Sequence, residues 1–264
     1  MRICMAGAGG RMGRRIMELA MADGLEIAAG LERRELAGTT VTIGAESGRA
    51  VSLVLSSDPL EALLKADVLI DFSSPAAAVA NVHAAAELEK PAVVGTTGLS
   101  DAQASDIAAS AHMVPVVFAP NTSVGVNLLF KLASEVAGVL GLDYNVEIVE
   151  THHRLKKDSP SGTAKRLAEC VAESLGMNYN DHVKHGREGI VGERPQVEIG
   201  MHAVRGGDVV GDHTVYFIGQ GERIELTHRA HNRDTFAKGA LRAAQFALAA
   251  KPGLYDMQDV LGLR

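Results

Sequence analysis

The sequence has little cysteine: two residues, Cys4 and Cys170, in 264. That excludes a disulfide framework. Cys4 lies in an apolar strand-like run and Cys170 in a helical one, so both are expected as core thiols in a reducing compartment. There is no cysteine pair and no helical His-x-x-x-His, the patterns that would announce a metal site, and no metal is expected. Positive charge is not in excess. With 26 lysines and arginines against 32 acidic residues, the net charge of −6 argues against nucleic acid or a membrane surface as partner. No uninterrupted apolar run approaches the roughly 18 residues needed to span a bilayer. The amino terminus passes from Arg2 through a few apolar residues into glycines and arginines, with no secretory h-region, so a cytoplasmic setting is expected. Internal repeats and low-complexity linkers are also missing.

What is present is a change of pattern along the chain. Up to about residue 120, short apolar runs (2–6, 25–30, 52–55, 68–72, 91–95, 114–119) alternate with helical stretches (11–22, 59–64, 75–88, 101–112). Such alternation implies βαβ units and a parallel, Rossmann-like α/β sheet, with the loops at strand ends lining one crevice. Beyond it, a helix at 124–140, a strand at 146–150 and a helix at 162–175 lead to three longer alternating strands at 196–203, 209–218 and 223–228. They are joined by glycine-rich turns and read as an open mixed, mostly antiparallel sheet in an α+β domain. A final helix runs from about 234 to 250. The change of pattern places the expected domain boundary at 123/124.

The string Gly7-Ala8-Gly9-Gly10-Arg11-Met12-Gly13 follows the first strand and opens a helix. Small residues there let the backbone turn tightly and approach a pyrophosphate, whose charge sits against the helix start. Met12 breaks the strict G-x-G-x-x-G spacing, and the same glycines would also serve a plain strand–helix turn. No Gly-Lys-Ser/Thr follows, which excludes a kinase-like P-loop. Glu32 ends the second strand, nineteen residues after Gly13. A carboxylate there can accept from ribose hydroxyls and favour NAD, while Arg33 and Arg34 could neutralise the 2′-phosphate of NADP. A charged strand-end turn is the bland alternative.

The segment 150–168, ETHHRLKKDSPSGTAKRLA, carries the most chemistry. Between 152 and 157 it holds two histidines, one arginine and two lysines, followed by a turn and a helix start. The histidines offer proton transfer near neutrality. The cations and the helix amides offer binding to an anion. The competing reading is a solvated basic loop with Ser161 as helix cap.

The string Glu150-x-His152-His153-Arg154-x-Lys156-x-Asp158-x-Pro160-Ser161-Gly162-Thr163-Ala164 resembles the signature of the dihydrodipicolinate reductases, now called 4-hydroxy-tetrahydrodipicolinate reductases. AGAGGRMGR (6–14), VGTTG (94–98), NTSVGVN (121–127), GDHTV (211–215) and HRAHNR (228–233) extend the resemblance over nearly the whole chain. It implies an NADH- and/or NADPH-dependent enzyme of the diaminopimelate route to lysine, acting on a cyclic imine with two carboxylates and assembled as a homotetramer. It also implies that 1–123 with 233–264 form the dinucleotide-binding domain and 124–232 the substrate-binding and tetramerisation domain. By resemblance His152 is the proton donor and acceptor and Lys156 the second catalytic residue. His153, Gly162 and Thr163 match carboxylate-binding positions. The nicotinamide end is assigned to Gly95, Thr96 and Thr97 with Ala119, Pro120, Asn121 and Thr122. The chain departs from the family pattern at Thr122, commonly aromatic or methionine, and at Ser74, commonly basic. The rivals are a non-catalytic NAD(P)-binding sensor and another two-domain dehydrogenase of amino-acid metabolism, since architecture alone does not separate them.

Overall fold

A computed structural model describes residues 1–44 and 50–264. The chain forms two compact units, 1–124 with 233–264 and 125–232.

In the first unit, eight strands lie in the order β13-β7-β6-β5-β1-β2-β4-β3. They are β1 (Arg2–Ala6), β2 (Glu26–Leu31), β3 (Thr40–Ile43), β4 (Val51–Ser56), β5 (Val68–Asp71), β6 (Ala92–Val94), β7 (Pro115–Phe118) and β13 (Gly253–Tyr255). All neighbours run parallel except β3, which pairs antiparallel with β4. The inner strands β1, β5 and β6 are covered on both faces, so they read as continuous apolar runs, whereas the edge strand β3 alternates. In β1 the side chains nevertheless divide by parity. Ile3 and Met5 pack with α1 (Arg11–Ala22), α8 (Asp234–Ala249) and α9 (Met257–Leu261). Cys4 and Ala6 pack with α2 (Pro59–Leu63), α3 (Pro75–Glu87) and α4 (Asp101–Ser110) on the opposite face. Ile16 and Met17 of α1 are fully buried, each worth about 1.5–3 kcal/mol of transfer free energy. Neither cysteine is disulfide-bonded; Cys4 is buried and Cys170 half-buried.

In the second unit, α5 (Val124–Leu140), α6 (Gly162–Ser174) and the short α7 (Tyr179–His182) accompany a five-stranded sheet of order β12-β11-β8-β10-β9. Its strands are β8 (Asn145–His152), β9 (Val183–His185), β10 (Ile199–Arg205), β11 (Gly211–Ile218) and β12 (Arg223–Ala230). The sheet is open and mixed, with most of its paired residues antiparallel. β11 runs antiparallel to β8 and β12, whereas β10 runs parallel to β8 and β9. The cause is the crossover through α6, which returns the chain to the sheet in the direction of β8.

The inward face of β8 carries Val146, Ile148, Glu150 and His152, all buried, between α5 and α6 on one side and the sheet on the other. The segment Val124–Asp143, which contains α5, passes the length and composition test for a bilayer span, with 20 residues of mean hydropathy 1.4. Counting uninterrupted apolar residues did not anticipate this. Polar residues interrupt the segment, including a Lys131–Glu135 ion pair at 3.4 Å. Val126, Leu129, Phe130, Ala133 and Ala137 form its buried stripe.

On the outward face of β8, Glu147 is a hub. It accepts from Arg187 at 2.7 and 3.0 Å, from Arg194 Nε at 2.8 Å, and pairs with His202 Nε2 at 2.8 Å. Burial opposes its charge, but the guanidiniums and the imidazole outweigh it and hold the carboxyl down at about 2. Arg187 also meets Glu198 at 2.6 Å, so the long crossover from β9 to β10 is fastened to the sheet.

Candidate functional site

In the first unit, the loops that follow β1, β5, β6 and β7 all emerge at carboxyl ends of parallel strands. β1 lies between β2 and β5, so the chain leaves it toward opposite edges, the switch point where open α/β sheets bind ligands. Gly7 has φ +78° and Gly13 lies against its carbonyl. A Cβ would meet Phe72 O at 2.3 Å from Gly7 and Gly7 O at 2.1 Å from Gly13, so the turn tolerates only glycine at both places. The start of α1 has Gly10 as its N-cap, no side-chain cap and no acidic residue in the first turn. α3 likewise starts without a side-chain bond from Ser74. By contrast, Asp58, Ser100 and Asp256 cap α2, α4 and α9. Uncapped amides beside a glycine turn suit a diphosphate, so this edge fits a dinucleotide.

Ala8 is buried, Gly9 and Met12 are half-buried, and Gly10 and Arg11 are exposed. Glu32 Oε2 accepts from Gly9 N at 3.0 Å and Oε1 from Arg33 N at 3.1 Å, so the carboxylate reaches the glycine loop while the Arg33 side chain stands in solvent. Gly95 is pressed against the Phe72 ring, where a Cβ would approach to 2.2 Å. The Thr96 side chain turns inward and its hydroxyl donates to Asp71 at 2.6 Å, whereas Thr97 is exposed. Ala119 is buried, Pro120 exposed, and Asn121 Oδ1 accepts from Ser123 N at 3.0 Å. Thr122 is also turned inward, its hydroxyl donating to Phe236 O at 2.7 Å, which leaves backbone rather than side chain for a ligand.

Sequence reasoning gave Asp71 no role. It is fully buried, and its carboxylate accepts from Thr96 Oγ1, from Ser73 Oγ at 2.8 Å and N at 3.1 Å, and from Asn81 Nδ2 at 2.7 Å. A lone acidic residue ending a wholly apolar strand was the available signal.

In the second unit, β8 delivers His152 to the edge of the sheet, and the signature loop folds back beneath it. His153 N donates to Val209 O at 2.8 Å and Arg154 N to Gly207 O at 3.2 Å, which ties the loop to the turn after β10. His152 Nδ1 lies 2.5 Å from Glu150 Oε2. Glu150 is fully buried and receives a two-pronged bond from Arg205, 2.8 Å on each arm, and Ser161 N at 3.1 Å. Burial pushes the Glu150 carboxyl up, but Arg205, His152 and the Ser161 amide together hold it below the usual range.

For His152, burial dominates and lowers its pKa. Glu150 pulls the other way, and the nearby Lys156 and Arg205 charges add to the lowering. The imidazole has room because Gly211 faces it, where a Cβ would stand 3.0 Å from Nε2. His213 meets His152 edge to face, with ring centres 5.2 Å apart. Its Nε2 lies 3.1 Å from Ser161 Oγ, and burial pushes it down to about 3.

Lys156 Nζ pairs with Asp158 at 2.9 Å and keeps about a fifth of its side chain exposed. His153 and Thr163 are half-buried. Gly162 opens α6 with free space beside its Cα. Ser161 caps this helix by accepting from Ala164 N at 3.2 Å. Ser161 is therefore the helix cap that the bland reading expects. His152, Lys156 and the α6 start are brought together, while Arg154 and Lys157 are exposed. Arg205 and His213 have no role in the sequence reading, because each meets the site from a strand far along the chain.

Comparison with known proteins gives concordant matches. The family described as dihydrodipicolinate reductase, N-terminus, matches residues 1–122, and that described as dihydrodipicolinate reductase, C-terminus, matches 125–261. A 4-hydroxy-tetrahydrodipicolinate reductase of Citrifermentans bemidjiense is 52% identical over all of this chain and 99% of its own length. A solved dipicolinate-bound dihydrodipicolinate reductase from a Paenisporosarcina species superposes with TM-score 0.77 at 26% identity, covering 98% of both chains. An amine dehydrogenase from Mycobacterium smegmatis, TM-score 0.59 and 13% identity over 96% of this chain and 94% of its own, shares the fold alone.

Proposed function

This chain belongs to the dihydrodipicolinate reductase family, and from that membership we propose that it reduces 4-hydroxy-tetrahydrodipicolinate to tetrahydrodipicolinate in the diaminopimelate route to lysine. It is an NAD(P)H-dependent oxidoreductase. Water leaves from the 4-hydroxyl, one hydride adds at ring carbon four, and one proton adds at the neighbouring carbon. The observation that carries the reading is the cluster at the end of β8. A buried imidazole, an ammonium and a helix start meet in one loop, suited to an anionic substrate that must be protonated.

When bound, the reduced nicotinamide supplies the hydride. The Gly7–Gly13 turn and the open start of α1 would hold the diphosphate, Glu32 and Arg33 the adenosine ribose, and the 95–97 and 119–122 loops the nicotinamide end. The amides of Gly162 and Thr163, with His153, would bind a carboxylate. Lys156 would leave Asp158 to stabilise developing negative charge. His152, depressed in the free protein, gains a proton more readily once a dicarboxylate sits beside it, because added negative charge favours the imidazolium. It then protonates the substrate carbon. Function in the cytoplasm as a homotetramer belongs to the same proposal.

The test supplies the condensation product of pyruvate and aspartate-semialdehyde and follows NADPH and NADH absorbance. Both cofactors are expected to be consumed. No oxidation would overturn the reductase reading, and a preference for NADPH above about a thousandfold, roughly 4 kcal/mol, would remove Glu32 from ribose recognition.

A further inference from the structure

We propose that Glu150 and Arg205 form a buried positioning pair that holds His152 as its Nδ1–H form, leaving Nε2 as the atom that exchanges the proton. The inference deepens the proposed function and rests on it for the role of His152. Glu150 is two residues before His152 on the same inward face of β8, and Arg205 reaches it from the end of β10, 55 residues later. An isolated carboxylate is not stable at 0% exposure. The two-pronged guanidinium supplies the counter-charge and fixes the carboxylate plane. One oxygen is then aimed at Nδ1 from 2.5 Å, and the other takes the Ser161 amide that begins α6. An ionised carboxylate only accepts, so Nδ1 must donate. The opposite ring nitrogen faces Gly211, the one residue of that strand with no side chain to cover it.

The groups facing His152 are Glu150 on its own strand, Arg205 on β10, His213 on β11 and Lys156 in the loop. Glu150 favours the imidazolium, and Arg205 and Lys156 oppose it. Glu150 and Arg205 therefore act on the ring in opposite senses, and their removal must move it in opposite directions. Neither is a catalytic residue, since each acts through His152.

The test is ¹⁵N-histidine NMR of the intact protein together with pH–rate profiles. Neutral His152 is expected to carry its proton on Nδ1. In Glu150→Gln its titration and the alkaline limb of kcat move to lower pH. Turnover at neutral pH falls by about tenfold or more, below the 10²–10⁴-fold loss of the acid itself, while KM stays within about threefold. In Arg205→Met the titration moves to higher pH. A neutral ring protonated on Nε2, or wild-type titration in both variants, overturns the proposal. A Glu150→Gln chain that fails to fold leaves the wild-type spectrum and Arg205→Met to decide. Failure of the wild type to oxidise NADPH would remove the reductase reading and leave the tautomer result standing as a separate answer.

Discussion

Among the described residues, each unit buries one carboxylate completely near the end of a strand, Asp71 and Glu150, and the two are satisfied in different ways. Asp71 is caged by neutral donors: one hydroxyl and one amide from Ser73, the Thr96 hydroxyl and the Asn81 amide. Glu150 is met by a guanidinium and an imidazole. Neutral donors cannot exchange charge with the carboxylate, so the Asp71 cage can only hold shape, joining the loop after β5 to the loop after β6. A charged cage passes its state to its members, so the Glu150 site couples structure to protonation. Burying a carboxylate in this fold therefore serves two ends, and partner chemistry decides which.

The largest expected effect lies on the charged side. His152→Gln should lower turnover by about 10²–10⁴-fold with little change in KM, the scale for losing a general acid–base group. Steady-state kinetics with purified substrate checks it, and near-normal turnover would remove His152 from the mechanism.

Asp71→Asn should act on stability instead. Its amide presents a donor where only donors face it, costing about 1–3 kcal/mol for the unmatched buried groups, read as a lower urea midpoint. The pH–rate profile should keep its shape. A shifted alkaline limb would erase the contrast between the two carboxylates.

The smallest effect concerns His213, which borders the charged cage. The unfolded chain takes up a proton at the ordinary value of 6.5 and the folded one at about 3. Acidification through that window therefore favours unfolding, and stability is fully retained only above it. His152 and His228, also lowered, contribute in the same sense. His213→Gln should flatten the loss between roughly pH 6.5 and 4.5 by at most about 1.4 kcal/mol per pH unit. Urea midpoints measured across pH decide it, and an unchanged slope would mean His213 is protonated in the fold.

Much of the fold was legible because long periodic segments declare themselves. β1, α1 and α5 begin and end where apolar spacing and glycines place them. The missed elements are short: β3, β9, β13, α7 and α9. Three of these are strands of three or four residues that owe their form to a neighbouring strand rather than to their own pattern. The direction of each strand in the second sheet stays hidden for a related reason, since alternation records burial and not strand direction. In the candidate site, local strings exposed the histidines, the lysine and the helix start. Arg205 was invisible because its partner lies 55 positions away, and a guanidinium beside two glycines looks like any turn.

Gly200 faces the Glu147 hub across the parallel ladder, and an added Cβ would fall 1.8 Å from the carboxylate oxygen. One hydrogen in place of a methyl thus gives Glu147 the space to grip two arginines and a histidine at once. Any larger residue would press on the acid and loosen its grip on the arginines, leaving Arg194 on the Val146 carbonyl to hold the crossover arm. Part of the mooring of that arm rests on the smallest side chain in the strand.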